Sequence, residues 1–224
     1  MNSQKLGIIL GGLGLDAART STAINQLPQN VTLSFAAHSP NLQRWIDMAR
    51  ENGHEVLLEL PMDSLGTIPD PMTRTLSPNS GLDETRTRLD WLLSRGSGYF
   101  AVMNFNGDIL LNDKDTSHLI LSYLSDAGLG FIFDNSFEAL SLPVLATNNN
   151  TSYIQSTLII DETDNSSLIR SNLKTLTEKA QNRQTPIGVA FAYDTSIAEI
   201  TLWANSLTDK GIILAPVSHL MKAQ

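Results

Sequence analysis

Eight apolar runs alternate with amphipathic stretches along the chain, and this alternation limits the fold more than any other feature. The runs fall at 6–11 (LGIILG), 31–36 (VTLSFA), 54–60 (HEVLLEL), 99–103 (YFAVM), 129–133 (LGFIF), 154–160 (IQSTLII), 186–192 (PIGVAFA) and 211–214 (GIIL). Helices are predicted between them, near 16–26, 40–52, 82–95, 114–126, 166–182 and 195–209. Start signals agree: Ser39-Pro40 precedes the second helix, Asp113 and Asp115 open the fourth, and Thr195 or Ser196 opens the last. Gly53 and Gly128 sit where helices should stop. Repeated strand–helix units imply parallel strands with crossover helices. The runs are apolar on both faces, as strands covered on both sides are. Seven or eight such units suit a βα barrel better than an open sheet. At 224 residues the chain is slightly short for a full barrel. The expected fold is therefore a distorted (β/α) barrel of seven or eight parallel strands, one domain spanning 1–224. A long Pro/Gly/Ser loop over 64–81 follows the third strand at its C-terminal end, where such folds build their sites.

Charge and composition narrow the partners. The net charge is −8 and the Lys and Arg residues are scattered, which argues against a nucleic-acid or anionic-membrane surface. The chain has no cysteine, so disulfides and thiolate chemistry are excluded. Apolar runs reach only about ten residues, too short to span a bilayer. No signal segment is visible ahead of the first strand.

The first strand runs into "LGIILGGLGLDAA" (6–18), in which Gly12, Gly14 and Ala17 fit G-x-G-x-x-A, a variant of the dinucleotide fingerprint. That fingerprint needs an acidic residue at the end of the second strand to hold the ribose hydroxyls. Here the second strand ends in Ala36, Ala37 and His38. A tight βα turn is the competing reading, and it leaves the adjacent pair Gly11-Gly12 unexplained.

The stretch "GHEVLLELPMD" (53–63) resembles the most recognisable motif of the divergent polysaccharide deacetylase family. The order of features around it is similar too. Residues 27–63 look like that family's second and third βα units, and 75–108 like its next helix and strand. "AGLGFIFDNS" (127–136) and "STLIID" (156–161) are similar to later strand ends. The resemblance implies a distorted barrel with a metal-centred site at the C-terminal strand ends. It also implies hydrolysis of N- or O-acetyl groups on carbohydrates, and a place in the bacterial periplasm or cell envelope. In such a reaction a metal-bound water attacks the carbonyl while a carboxylate takes its proton.

The departures from the family pattern fall on this chemistry. Where the family typically carries an Asp-Asp pair, implied as metal ligand and general base, the chain has Gly11-Gly12. Where the family reads Asn-His-Met-Gly-Ser, the chain has "NFNGD" (104–108), with Phe105 at the histidine. Where the family tends to read Gly-His-Pro, the chain has "GVAFA" (188–192), with Phe191 at the histidine. Asp134 and Asp161 match. A catalytic metal needs about three protein ligands and an open position.

The candidate residual pocket is Gly11, Gly12, Glu59, Asn104, Asn106, Asp108, Asp134 and Asp161, with His38 as a possible rewired ligand. Glu59 lies within an apolar strand and must be paired or face a cavity. Asn104, Asn106 and Asp108 suit either a turn around Gly107 or hydrogen bonds to sugar hydroxyls. Asp134 and Asp161 suit either a polar pocket or turn formation. His54 is placed at the opposite face as a structural residue, and His118 and His219 as surface or packing residues. Trp45, Trp91 and Trp203 are assigned to packing. Three functions follow. The first is a deacetylase-like barrel that has lost its metal and activity and binds a neutral or amino-sugar glycan or a protein partner. The second is an active deacetylase using zinc or another divalent metal through His38, Asp108, Asp134 and Asp161. The third is a nucleotide-binding βα protein built on Gly12–Ala17.

Overall fold

The computed structural model describes residues 4–66 and 71–221. Residues 67–70 of the loop predicted over 64–81 lie outside the described residues. Among the described residues, nine strands form one sheet: β1 (Gln4–Leu13), β2 (Thr32–Ala36), β3 (Val56–Met62), β4 (Ala101–Asn106), β5 (Gly130–Phe133), β6 (Tyr153–Gln155), β7 (Leu158–Ile159), β8 (Ile187–Phe191) and β9 (Ile212–Leu214). Seven helices join them: α1 (Ala17–Gln26), α2 (Leu42–Glu51), α3 (Leu82–Ser94), α4 (Lys114–Asp126), α5 (Leu142–Asn148), α6 (Ser166–Gln181) and α7 (Asp194–Asn205).

All strand pairs are parallel, in the order β6-β5-β4-β3-β2-β1-β8-β7, and β9 pairs with the start of β1. The run predicted as one strand, 154–160, is broken at its middle. Its first half, β6, pairs with β5, and its second half, β7, pairs with β8. Between them the Ser156 amide donates to the Phe133 carbonyl (2.9 Å) and the Thr157 amide to the Ile187 carbonyl (2.6 Å). One kinked segment thus carries the sheet round from β5 to β8. This is the distorted (β/α) barrel expected from the alternation of strands and helices.

Successive side chains of a strand point to opposite faces, and here both faces are dry. Ile8, Leu10, Leu33, Leu58, Val102 and Phe131 face outward into a core shared with Ile24, Ile46, Leu89, Ile120, Leu173 and Ile200 of the helices. Ile9, Leu57, Ala101, Met103, Ile132, Ile159, Ile187 and Val189 form a second, smaller core inside the barrel, closed below by Val217. This double burial is why the strands read as continuous apolar runs.

Local signals explain most element ends. Gly53 (φ +88°) and Gly128 (φ +69°) end α2 and α4 in the left-handed region. Asp113 caps α4 by accepting from the Thr116 amide at 2.9 Å. Two expected caps differ. Ser39 does not cap α2; its hydroxyl donates to the Gly14 carbonyl at 2.7 Å. Ser196 lies inside α7, which starts at Asp194, and its hydroxyl donates to Asp161 at 2.5 Å. Helix α5 had no prediction; at seven residues it is too short for its apolar spacing to stand out. The three tryptophans lie half-buried against the outer core.

Candidate functional site

One step of alternation beyond the inner core, the strands present their next inward residues at the C-terminal end of the barrel. Ile9 is followed by Gly11, Leu57 by Glu59, Met103 by Phe105, Ile132 by Asp134, Ile159 by Asp161, and Val189 by Phe191. Here the interior passes from hydrocarbon to a mixed layer of glycine, carboxylate and aromatic ring.

Glu59 lies deepest. It is 3 % exposed, and its carboxyl accepts the Gly12 amide at 2.8 Å. A β-carbon added at Gly11 would stand 2.3 Å from its Oε1. The carboxyl therefore occupies the space beside β1 that a side chain at Gly11 would need. Burial pushes Glu59 up to about 8, and the nearby Asp134 charge adds to the rise, while the Gly12 amide opposes it.

Asp134 is 2 % exposed but forms part of a cleft wall. Its Oδ1 accepts three donors: Asn104 Nδ2 at 2.9 Å, the Ser136 amide at 3.0 Å and the Ser136 hydroxyl at 2.8 Å. Asn104 completes the pair by accepting the Asp134 amide at 2.9 Å. No described residue donates to Oδ2. Burial raises the carboxyl above its usual range, against these hydrogen bonds. Asp161 is turned to the frame. It accepts the Phe191 amide at 2.8 Å and the Ser196 hydroxyl, and burial raises it to about 6.

The cleft at the mouth has a volume of about 530 Å³. Gly12, Phe105, Asn106, Asp134, Phe191 and Tyr193 line it, with Arg19, Ser136, Ile159, Glu162 and Ala192 at its margins. The Phe105 and Phe191 rings meet edge to face, 6.3 Å between centroids at 81°. Phe105 is 40 % exposed and Tyr193 39 %. Sequence reasoning treated Phe105 and Phe191 only as lost ligands and did not find Tyr193 or Glu162. The signal available was the two-residue spacing of Phe191, which ends β8, and Tyr193, which precedes α7.

Of the predicted pocket residues, Gly12, Asn106 and Asp134 line this cleft. Gly11, Glu59 and Asn104 lie beneath it, and Asp161 to one side, held by β8. Asp108 lies apart, bound by the Ser64 hydroxyl and the Leu65 amide (3.1 Å), contacts that lower its carboxyl. His38 follows β2 and is not part of the cleft wall. His54 is buried at the other end, its ring between the Val31 carbonyl (2.9 Å) and the Ile24 carbonyl (3.1 Å). His118 and His219 are exposed. Among the described residues, no three His, Asp or Glu side chains converge as a metal site would require.

The glycine turn is also accounted for. The Gly12 amide is engaged by Glu59, and the Gly14 amide by Thr20 Oγ1 at 2.9 Å. A β-carbon at Gly14 would stand 2.3 Å from Ser39 Oγ. The glycines allow close packing beside β1, and their amides do not face an open phosphate cradle.

The curled sheet of parallel strands with its helices is a fold shared with solved carbohydrate deacetylases. The chain belongs to the divergent polysaccharide deacetylase family, whose model matches residues 8–221. An uncharacterized protein of Agrobacterium tumefaciens is similar over 98 % of this chain and 90 % of its own, with 31 % identity and a TM-score of 0.94. The catalytic domain of a peptidoglycan N-acetylglucosamine deacetylase from Eubacterium rectale shares the fold with a TM-score of 0.57 and 10 % identity, over 96 % of this chain and 89 % of its own. A family 4 carbohydrate esterase from Streptomyces lividans, solved with acetate, does so with a TM-score of 0.52 and 12 % identity, over 97 % and 95 %. No curated protein matches the chain. Among the described residues, no helix is long and apolar enough to cross a membrane.

Proposed function

We propose that this protein is a deacetylase-like barrel that holds no catalytic metal and serves as a glycan-binding module through the cleft at its mouth. The observation that carries this reading is the Phe105–Phe191 contact. Two apolar rings stand against each other at the positions where the family resemblance implies histidine ligands. The remaining groups do not fit a divalent cation. Gly11 and Gly12 offer no donor atom. Glu59, raised to about 8, keeps its proton at neutral pH and lies beneath the cleft. Asp161 is committed to Phe191 and Ser196, and Asp108 to Ser64 and Leu65. Rewiring through His38, Asp108, Asp134 and Asp161 would need side chains that now belong to separate networks. Without a polarising metal, water at neutral pH is a weak nucleophile for an acetyl group.

What remains suits sugar binding. Aromatic faces and amide and carboxylate oxygens share one open cleft, large enough for one or two sugar rings. The test has two parts. After dialysis against micromolar zinc, the protein should retain no stoichiometric metal. It should also release no acetate from N-acetylglucosamine or acetylated xylose oligomers, with or without added zinc, manganese or cobalt. One retained equivalent of metal, or metal-dependent and saturable acetate release, would overturn the metal-free reading.

A further inference from the structure

Resting on that binding role, the cleft carries information about which sugar it takes. Asp134 is 2 % exposed, it lines the cleft, and its Oδ1 holds all three of its hydrogen bonds. Oδ2 has no donor among the described residues. Oδ2 is not among the fully buried polar atoms that lack a partner, so it opens on the cleft, where a ligand's donor can reach it. The donor must come from the cleft, because Asn104 and Ser136 have already fixed the other oxygen.

The remaining walls favour a cation as that donor. Phe105, Phe191 and Tyr193 surround the same space, and ring faces attract ammonium groups. The charge at the cleft is also unbalanced. Among the described residues Arg19 is its single cation, and it pairs with Asp194 at 3.5 Å, which leaves Asp134 and Glu162 without a cationic partner among those residues. An acetamido group offers one weak N–H and brings a bulky acyl group. A free ammonium offers three donors and a charge.

We propose that the cleft binds an amine-bearing sugar, its ammonium held by Asp134 Oδ2 against the wall of Phe105, Phe191 and Tyr193, in preference to the same sugar carrying an N-acetyl group. The module would then read polysaccharide from which acetyl groups have already been removed. In a reaction sequence it stands after an amide hydrolysis performed elsewhere. Asn106 and Ser136, both exposed at the cleft, are placed to meet ring hydroxyls, which a lysine side chain lacks.

The experiment titrates the intact protein with a glucosamine tetramer, an N-acetylglucosamine tetramer and a lysine-rich peptide, by calorimetry and by NMR. The glucosamine tetramer should bind at least roughly tenfold more tightly than its acetylated counterpart. Asp134→Asn keeps an oxygen for Asn104 and Ser136 but removes the charge, and should cost about tenfold in affinity for the amine. Phe105→Ala, at an exposed position, should weaken the same ligand several-fold while lowering the melting temperature by no more than about 4 °C, which separates binding from folding. Equal or tighter binding of the acetylated tetramer would overturn the amine preference and leave the glycan-binding role standing. Failure of both tetramers to bind would remove both. A lysine-rich peptide that bound as tightly as the glucosamine tetramer, with the same loss in Asp134→Asn, would overturn the assignment to a sugar.

Discussion

Glu59 and Asp134 are both acidic, both almost wholly buried, and both raised by loss of water. Yet they belong to different parts of the barrel. Glu59 sits in a sealed layer where every neighbour is protein, and its carboxyl fills the gap beside β1. Asp134 sits at the edge of the next layer, with one oxygen fixed and the other left to the cleft. The difference teaches that carboxylates at the end of a barrel are not interchangeable remnants of one site. The sealed one has become a packing element, and the open one remains chemically available. On that contrast, changes beneath the mouth should alter stability most, and changes at the mouth should alter binding with little effect on stability.

The largest effect is expected from Glu59. Its folded-state carboxyl stands near 8, against an ordinary value of 4.5 in the unfolded chain. Below the ordinary value both states hold the proton, and the stabilisation is fully present. As pH rises from there toward 8, only the folded state keeps it, so stability falls by about 1.4 kcal/mol per pH unit, on the order of 5 kcal/mol in all. Glu59→Gln keeps an oxygen for the Gly12 amide but cannot ionise. Denaturant unfolding across pH 4–9 should show the decline in the parent protein and a nearly flat line above about pH 6 in the variant. Asp161, raised to about 6, accounts for slope that survives at lower pH. An unaltered slope in Glu59→Gln would break the comparison.

A smaller effect is expected at Gly11. In Gly11→Ala the new β-carbon would stand 2.3 Å from Glu59 Oε1, so the carboxyl must shift from its place on the Gly12 amide, and the variant should lose up to about 2 kcal/mol. Combined with Glu59→Ala, the cost should be clearly less than the sum of the two single changes, because the clash is gone. Additive costs would show that Gly11 is small for another reason. The smallest stability effect is expected at the mouth. Phe105→Ala should cost no more than about 1 kcal/mol, since the ring is half in solvent and loses chiefly its edge contact with Phe191. A loss as large as that at Gly11 would mean that the aromatic wall is part of the core.

The fold was legible because the alternation of apolar runs and helical stretches survives intact, with Gly53 and Gly128 marking helix ends. The site was legible only in part. Residues flanking Glu59 are apolar on both sides, so the pattern could not say whether its carboxyl faced the helices or the interior. The structure settles this through Leu57, which shares its face and belongs to the inner core. Asn104 and Asp134 are 30 positions apart, and their mutual hydrogen bonds follow from strand neighbourhood rather than spacing. Phe105 and Phe191 come together only because the barrel curls round. Their contact is a property of closure, and no window of sequence contains it.

That closure has a consequence for how the molecule is made. From β1 to β6, each strand lies beside the one before it, so that part of the sheet can assemble in order from local pieces. The ring shuts only when Gly7 meets Ile187 and Gln4 meets Ile212, almost a full chain length away. Contacts so remote come slowly, since a long loop must be closed before they return any energy. Until then β1 has a bare flank, and so does the far end of the growing sheet. Each is a template on which a second nascent chain could pair. The last-arriving strand is thus a latch, and the half-built barrel is the form of this protein most in need of protection.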